Sequence, residues 1–216
     1  MRCVGSGECA TGVWKVPVSG QRVVNASGGI LPGTVVFESS PRGDEQGFVV
    51  DTFDADVACA AGMDSRELVQ ETQTRTVRGG VRGLHLRTDG GVGHLVRCTH
   101  GAVVDVAVDL RPASPTYRLW MTVVLDDVDH RSVWLPAGLA HGYQALTATA
   151  DVCCWADRIE RPEYEVTIRY DDTELAIPWP LPVTALRRRD SLAPTLAAIE
   201  PMLHAWLGPV DHRRHR

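Results

Sequence analysis

The chain has 216 residues, 44% hydrophobic and 23% charged, with a formal net charge of -5. That length fits one β-rich domain with extensions, and two full domains would be cramped. The composition is neither that of a disordered chain nor that of a membrane protein, and the acidic balance argues against nucleic acid as the main partner.

Residues 1–29 are rich in Gly, Ser and Val. They read as an N-terminal extension: a flexible arm, an added edge strand, or an overlong start. They hold no continuous apolar core of signal-peptide length, and no stretch of the chain reaches membrane-spanning length. A single domain is expected over 30–216. From Ile30 onward, short apolar runs alternate with turn residues. Strands are expected at Gly33–Phe37, Gly47–Val50, His94–Cys98, Ala102–Leu110, Leu119–Leu125 and Ser132–Leu135. In 102–110 the period is two, with Val104, Val106 and Val108 on one face and Asp105 and Asp109 on the other beside Val103 and Ala107. Helices are expected at about Ala55–Ala61 and at Ser191–Leu207, the second with Asp190 as a candidate N-cap. Many short strands separated by Gly, Pro and Asp predict an all-β jelly-roll barrel with a few short helices, one of them C-terminal.

Six cysteines, Cys3, Cys9, Cys59, Cys98, Cys153 and Cys154, are scattered without a Cys-x-x-Cys pair. They predict reduced thiols and a cytoplasmic protein. The run Arg187-Arg188-Arg189 and the basic end Arg213-Arg214-His215-Arg216 read as solvated surface, and His100 as a solvated residue in a hairpin turn.

Four local patterns carry possible chemistry. Arg82-Gly83-Leu84-His85 lies in a strand-like segment opened by Gly79-Gly80. In a flat strand Arg82 and His85 would face opposite ways, so both can reach one pocket only if the chain bends at Gly83. His94-Leu-Val-Arg-Cys98 starts another strand. Pro136-Ala-Gly138-Leu-Ala-His141-Gly142 is a Pro-x-Gly-x-x-His turn. Leu186-Arg-Arg-Arg-Asp190 precedes the last helix.

Together with Gly101–Arg111, Ser114-Pro-Thr116 and Ile177-Pro-Trp-Pro180, these patterns follow the order found in the dTDP-4-dehydrorhamnose 3,5-epimerase family, which the chain resembles over roughly Ile30–Leu196. The resemblance implies a cupin-type barrel. It also implies an isomerase that removes a proton next to the ketone of a thymidine-diphospho-4-keto-6-deoxyhexose, at C3, C5 or both, and returns one on the other face. No cofactor or metal is implied, and the protein is expected to be a homodimer whose Gly47–Phe53 segment crosses between subunits. The carbanion delocalises onto the ketone oxygen, so the reaction needs a base, an acid on the opposite face and a cation near the oxygen.

By that resemblance His85 matches the catalytic base, and Asp190 matches the carboxylate that fixes its tautomer. Arg82 matches a diphosphate ligand, Gln70 a thymine contact and His141 a sugar contact. Phe48 and Asp51, in and beside the altered family element Asp44-Glu-Gln-Gly-Phe-Val49, are further expected substrate contacts, as is His94. Three positions depart from the family. His94 stands where the family has Lys, Gln46 where it has Arg, and Cys154 where it has the acid Tyr. The ring expected soon afterwards falls on Ile159 and Glu160. Cys154 is therefore a candidate acid of altered chemistry. Three histidines, His85, His94 and His141, could hold a divalent ion, but the His-x-His of metal-binding barrels is absent, so no metal is expected. The rival readings are an altered isomerase on the same scaffold and a non-catalytic sugar-binding barrel.

Overall fold

A computed structural model describes residues 13–14, 24–63 and 68–207. In chain order the strands are β1 Val13–Trp14, β2 Val24–Gly28, β3 Val35–Ser39, β4 Arg42–Asp44, β5 Gly47–Val49, β6 Gln70–Val77, β7 Val81–Arg87 and β8 His94–His100. They continue with β9 Ala102–Asp109, β10 Trp120–Asp126, β11 Ser132–Leu135, β12 Leu139–Ala145, β13 Thr149–Ala156 and β14 Glu165–Thr167. The helices are α1 Ala55–Ala60, α2 Arg188–Ser191 and α3 Leu196–Leu207. A seven-stranded sheet in the order β1-β2-β3-β11-β8-β13-β6 stands with a five-stranded sheet, β10-β9-β12-β7-β14, and β4-β5 form a separate hairpin. This is the jelly-roll architecture expected from the strand spacing.

Residues 24–28 settle part of the N-terminal question: they form β2, which pairs antiparallel with β3 and buries Ala26. β1 pairs with β2 on its other side. The basic stretch 213–216, with Cys3 and Cys9, lies outside the described residues.

Strand β9 shows why its residues are apolar on both faces. Val103 and Ala107 point into the barrel with Val96, Val133, Leu135 and Val152. Val106 and Val108 point outward, under Leu196, Ile199 and Leu203 of α3. Burial of each such side chain contributes roughly 1.5–3 kcal/mol, so α3 is held by its apolar stripe. The outer face of the large sheet is covered by α1, whose Val57 and Ala58 pack with Phe37 and Leu95. Asp54 caps α1, its carboxylate accepting from the N–H groups of Asp56 at 2.9 Å and Val57 at 3.2 Å.

The expected helix 191–207 is in fact broken. Pro194 cannot continue a helix from the preceding turn, and the chain forms α2 and α3 separately. Asp190 is inside α2 and does not cap α3. That cap comes from a remote loop: Asp172 accepts from the Leu196 N–H at 2.7 Å. Cys98, Cys153 and Cys154 are free, as expected, but Cys59, half-buried on α1, is disulfide-bonded, against the reading of reduced thiols.

Candidate active site

One cavity opens between the two sheets. Strands β7 and β12 of the small sheet contribute Arg82, His85, Arg87, His141 and Tyr143. Strands β6, β8 and β13 of the large sheet contribute Thr72, Thr74, His94, Val96, Val152 and Cys154.

The bend demanded at Gly83 is present. His141 pairs with His85 and Tyr143 with Arg82, so β7 carries one residue more than β12 between the two pairs. This bulge brings Arg82 and His85 to the same side, while Leu84 and Leu86 face α3. Two glycines permit it. Gly83 has φ +115, and a Cβ there would lie 2.6 Å from the Gly142 Cα. A Cβ on Gly142 would in turn lie 2.5 Å from the Arg82 carbonyl oxygen. Any side chain at either position would force the strands apart.

Three histidines in the cavity each have a carboxylate. His85 Nε2 lies 3.0 Å from Asp190 Oδ1, with Asp190 fully buried and His85 slightly open to the cavity. Burial opposes ionisation of Asp190, but the hydrogen bond and charge of His85, helped by Arg189, overcome it and hold the carboxyl below its ordinary range. His94 Nε2 lies 3.0 Å from Glu160 Oε1. Burial pushes the His94 pKa down, while its hydrogen bond lowers that of Glu160. His141 Nδ1 lies 3.8 Å from Asp105 Oδ2. Burial works against the imidazolium, and Asp105, with Glu160 and Glu165 farther off, outweighs it and raises the His141 pKa. Burial raises Asp105 as well, against the pull of His141.

Cys154 pairs with Val96 on β8 and Thr72 on β6, and its side chain faces the cavity. Burial, with Glu160 and Asp105 nearby, pushes the thiol well above its usual value. At the mouth stand three guanidinium groups, Arg82, Arg187 and Arg189. Arg82 donates through Nε to Thr76 Oγ1 at 2.8 Å and through Nη2 to the Arg75 carbonyl at 3.1 Å, which leaves its buried Nη1 without a partner. Burial, and then the neighbouring charges of Arg82 and Arg189, depress the Arg187 pKa. Arg189 reaches Glu165 Oε1 at 2.5 Å and His85 Nε2 at 3.3 Å. All three members of the run Arg187–Arg189 are exposed, as read from sequence, and two of them also line the cavity. The bend of the chain from Ala185 into α2 brings them there.

A family model for dTDP-4-dehydrorhamnose 3,5-epimerase matches residues 29–198. The chain belongs to the dTDP-4-dehydrorhamnose 3,5-epimerase family. It is 38% identical over 165 residues to a dTDP-4-dehydrorhamnose 3-epimerase of Streptomyces niveus, covering 75% of this chain and 80% of the relative. Among solved structures it resembles NovW of Streptomyces spheroides, a 4-keto-6-deoxy sugar epimerase from the novobiocin biosynthetic gene cluster. There the TM-score is 0.80 and the identity 35%, over 91% of this chain and 97% of that one. It also resembles the dTDP-6-deoxy-D-glucose-3,5-epimerase of Legionella pneumophila in complex with dTDP-4-keto-L-rhamnose, with a TM-score of 0.79 and 36% identity over 84% and 97% of the two chains.

Of the residues expected from this family, His85, Asp190, Arg82, His94, His141 and Cys154 converge on the cavity, the first two already bonded. Gln70, Phe48 and Asp51 do not line it. The side-chain oxygen of Gln70 is occupied by the Glu160 backbone N–H at 2.8 Å. Phe48 is exposed on the β4–β5 hairpin beside His130, its ring centroid 5.1 Å from the imidazole, and Asp51 is paired with Arg42 at 3.3 Å. The hairpin pairs with neither main sheet.

Asp105, Glu160, Tyr143 and Glu165 were not singled out from sequence as functional. Only Asp105 had a usable signal, a carboxylate in the middle of a Val-rich strand. The Tyr143 hydroxyl is held by Thr74 at 2.5 Å and Thr76 at 3.1 Å. His100 is exposed, as expected.

Proposed function

We propose that the chain epimerises a thymidine-diphospho-linked 4-keto-6-deoxyhexose in deoxysugar biosynthesis, exchanging a proton next to the ketone. The observation that carries this reading is the His85–Asp190 pair at 3.0 Å, facing a cavity with three arginines at its mouth. In this reading His85 takes the proton. Asp190 orients the ring and stabilises its protonated form without touching the sugar, and so is a positioning residue. Arg82 binds the diphosphate, since its unpartnered buried Nη1 is a donor awaiting an anionic acceptor. Arg187 and Arg189 add positive charge beside it.

On the other side of the sugar the proposal assigns the second proton to Cys154, with His141 and His94 as sugar contacts. Burial keeps the thiol protonated at neutral pH, the state a proton donor requires. A thiol is shorter than the family's phenol, so the proposed outcome is inversion at one carbon only. No cofactor is invoked for proton transfer itself.

The proposal extends to a homodimer. Phe48 and Val49 are 57% and 52% exposed on the β5 arm of the β4–β5 hairpin, an apolar pair suited to a second copy of the chain. Sedimentation at micromolar concentration should give a dimer, and monomer alone would count against it. It extends also to a cytoplasmic setting, which the free thiols favour and the disulfide at Cys59 does not. The domain is taken as 30–216, with β2 joined to its large sheet beside β3. The direct test of function is solvent-deuterium incorporation into the keto sugar, read by NMR. Label next to the ketone supports the reading, and its absence with every 4-keto-6-deoxyhexose offered opposes it.

A further inference from the structure

We infer that His94, His141 and Cys154 form a binding site for a divalent transition-metal ion, zinc above others, with an open position toward the cavity. One donor atom from each of the three lies within 4.8 Å of the others. They converge from three strands and both sheets: His94 on β8 and Cys154 on β13 from the large sheet, His141 on β12 from the small one. Zinc binds imidazole nitrogen at ~2.0 Å and thiolate sulfur at ~2.3 Å, which spaces tetrahedral ligand atoms roughly 3.5 Å apart. The set therefore needs to close by about an ångström, within reach of side-chain adjustment. Two imidazoles and one thiolate are a donor set that suits zinc and disfavours magnesium or calcium, which take oxygen.

A second observation comes from the surroundings. Metal-bound histidines are normally held by a carboxylate on the ring nitrogen away from the ion. His94 has one at hydrogen-bond distance, Glu160 at 3.0 Å, and Asp105 stands beside His141 at 3.8 Å, beyond hydrogen-bond reach. Asp105 is 1% exposed, both of its oxygens lack a hydrogen-bond partner, and so does His141 Nδ1. Such unsatisfied buried groups are rare and costly, and they point to something the site has yet to bind. The trio differs from the one suggested by sequence, since His85 is taken by Asp190 and Cys154 takes its place.

On binding, the Cys154 Sγ–H bond breaks, its proton goes to solvent, and the Sγ–metal bond forms. The three protein ligands leave a fourth position facing the cavity, suited to an oxygen donor such as water or a carbonyl. The site does not depend on the epimerase reading. It does exclude Cys154 as acid while the ion is bound, because a ligated thiolate has no proton to give.

The test is metal content after purification without chelator, followed by titration of the metal-free protein with Co²⁺. The expected result is close to one ion per chain, with the visible absorption of tetrahedral cobalt and a near-ultraviolet thiolate-to-cobalt charge-transfer band. Cys154→Ser should remove that band, and Cys153→Ser should keep it. Asp105→Asn should weaken cobalt binding roughly 10–100-fold while leaving the band in place. Circular dichroism establishes that each variant is folded, and His94→Gln serves as a second ligand variant should Cys154→Ser fail to fold. Absence of a charge-transfer band in the wild type, or its survival in folded Cys154→Ser or His94→Gln, overturns the proposal. Deuterium exchange into the sugar is read separately, so failure of the metal site and failure of the epimerase reading give different results.

Discussion

The two walls of the cavity are built from the same kind of strand but hold their polar groups differently. On the small-sheet wall, His85 lies 3.0 Å from a fully buried Asp190. Across the cavity, His94, bonded to Glu160, and Cys154 face His141 with its unsatisfied Asp105. The difference teaches that one barrel can hold a closed hydrogen-bonded pair in one part of its cavity and leave buried polar groups open in another. The first is a closed pair, and the second leaves both Asp105 oxygens and His141 Nδ1 without a hydrogen-bond partner.

The largest expected effect breaks the His85–Asp190 pair. His85→Asn should lower deuterium exchange by roughly 10²–10⁴-fold and leave thymidine diphosphate binding nearly intact, because the side chain handles the proton and not the nucleotide. Asp190→Asn should lose less, since that carboxylate acts through the imidazole. Exchange kinetics and nucleotide titration together check both, and equal losses in binding and exchange would place His85 in general packing.

A control outside both walls sharpens the contrast. Asp109 lies on β9 four residues after Asp105 and is also buried, but it is fully satisfied. It accepts from Arg111, Ser114 and Thr116, three side chains at 2.6–2.9 Å, and from the Arg111 N–H at 3.1 Å. Although burial opposes ionisation, these bonds hold its pKa at about 2. The folded value is below the unfolded one of about 3.9, so this stabilisation is present above that value and lost as pH falls through about 2. Asp109→Ala should cost about 3–5 kcal/mol in chemical denaturation at pH 7. The deficit should shrink toward pH 2. A deficit that is flat with pH would mean the effect is packing and not charge.

How much of this was readable beforehand follows the range of the interaction. Strand identity from 94 to 135, the bend at Gly83 and α1 all follow from local patterns: alternation, Gly-rich turns and an Asp cap. The His85–Asp190 pair was legible because both residues sit in family motifs, although 105 residues separate them. What local pattern could not supply is which charged groups the barrel brings face to face. Arg187 and Arg189 read as surface, and Glu160 read as a lost ring, because neither sequence neighbourhood records the opposite strand. Asp190 read as a helix cap because Pro194 was given too little weight, and the cap of α3 comes from Asp172, 24 residues away.

Of intermediate size is the effect at the mouth. Arg82→Ala removes a charge-assisted donor worth about 1.5–3 kcal/mol and should weaken thymidine diphosphate binding roughly 10–100-fold, with little change in exchange at saturation. Arg82→Lys should recover only part of the loss, because it cannot keep the bonds to Thr76 and Arg75 together. Isothermal titration separates the two variants.

The smallest expected effect on rate lies across the cavity. In the metal-free protein, Cys154→Ala should leave deuterium wash-in within about tenfold of the wild type while losing inversion, since His85 still removes and returns its own proton. Wild-type rate and product in this variant would make the thiol packing alone and move the donor to another cavity group, Tyr143 or His141.

The central claim is that His85, held by Asp190, removes the proton next to the ketone of a nucleotide-linked sugar. The measurement closest to it is NMR of thymidine-diphospho-4-keto-6-deoxyglucose incubated with the protein in deuterium oxide, run in parallel with His85→Asn. The account predicts deuterium at C3 or C5 with the wild type and none above background with the variant. Label that appears equally with both proteins, or with neither, would contradict it.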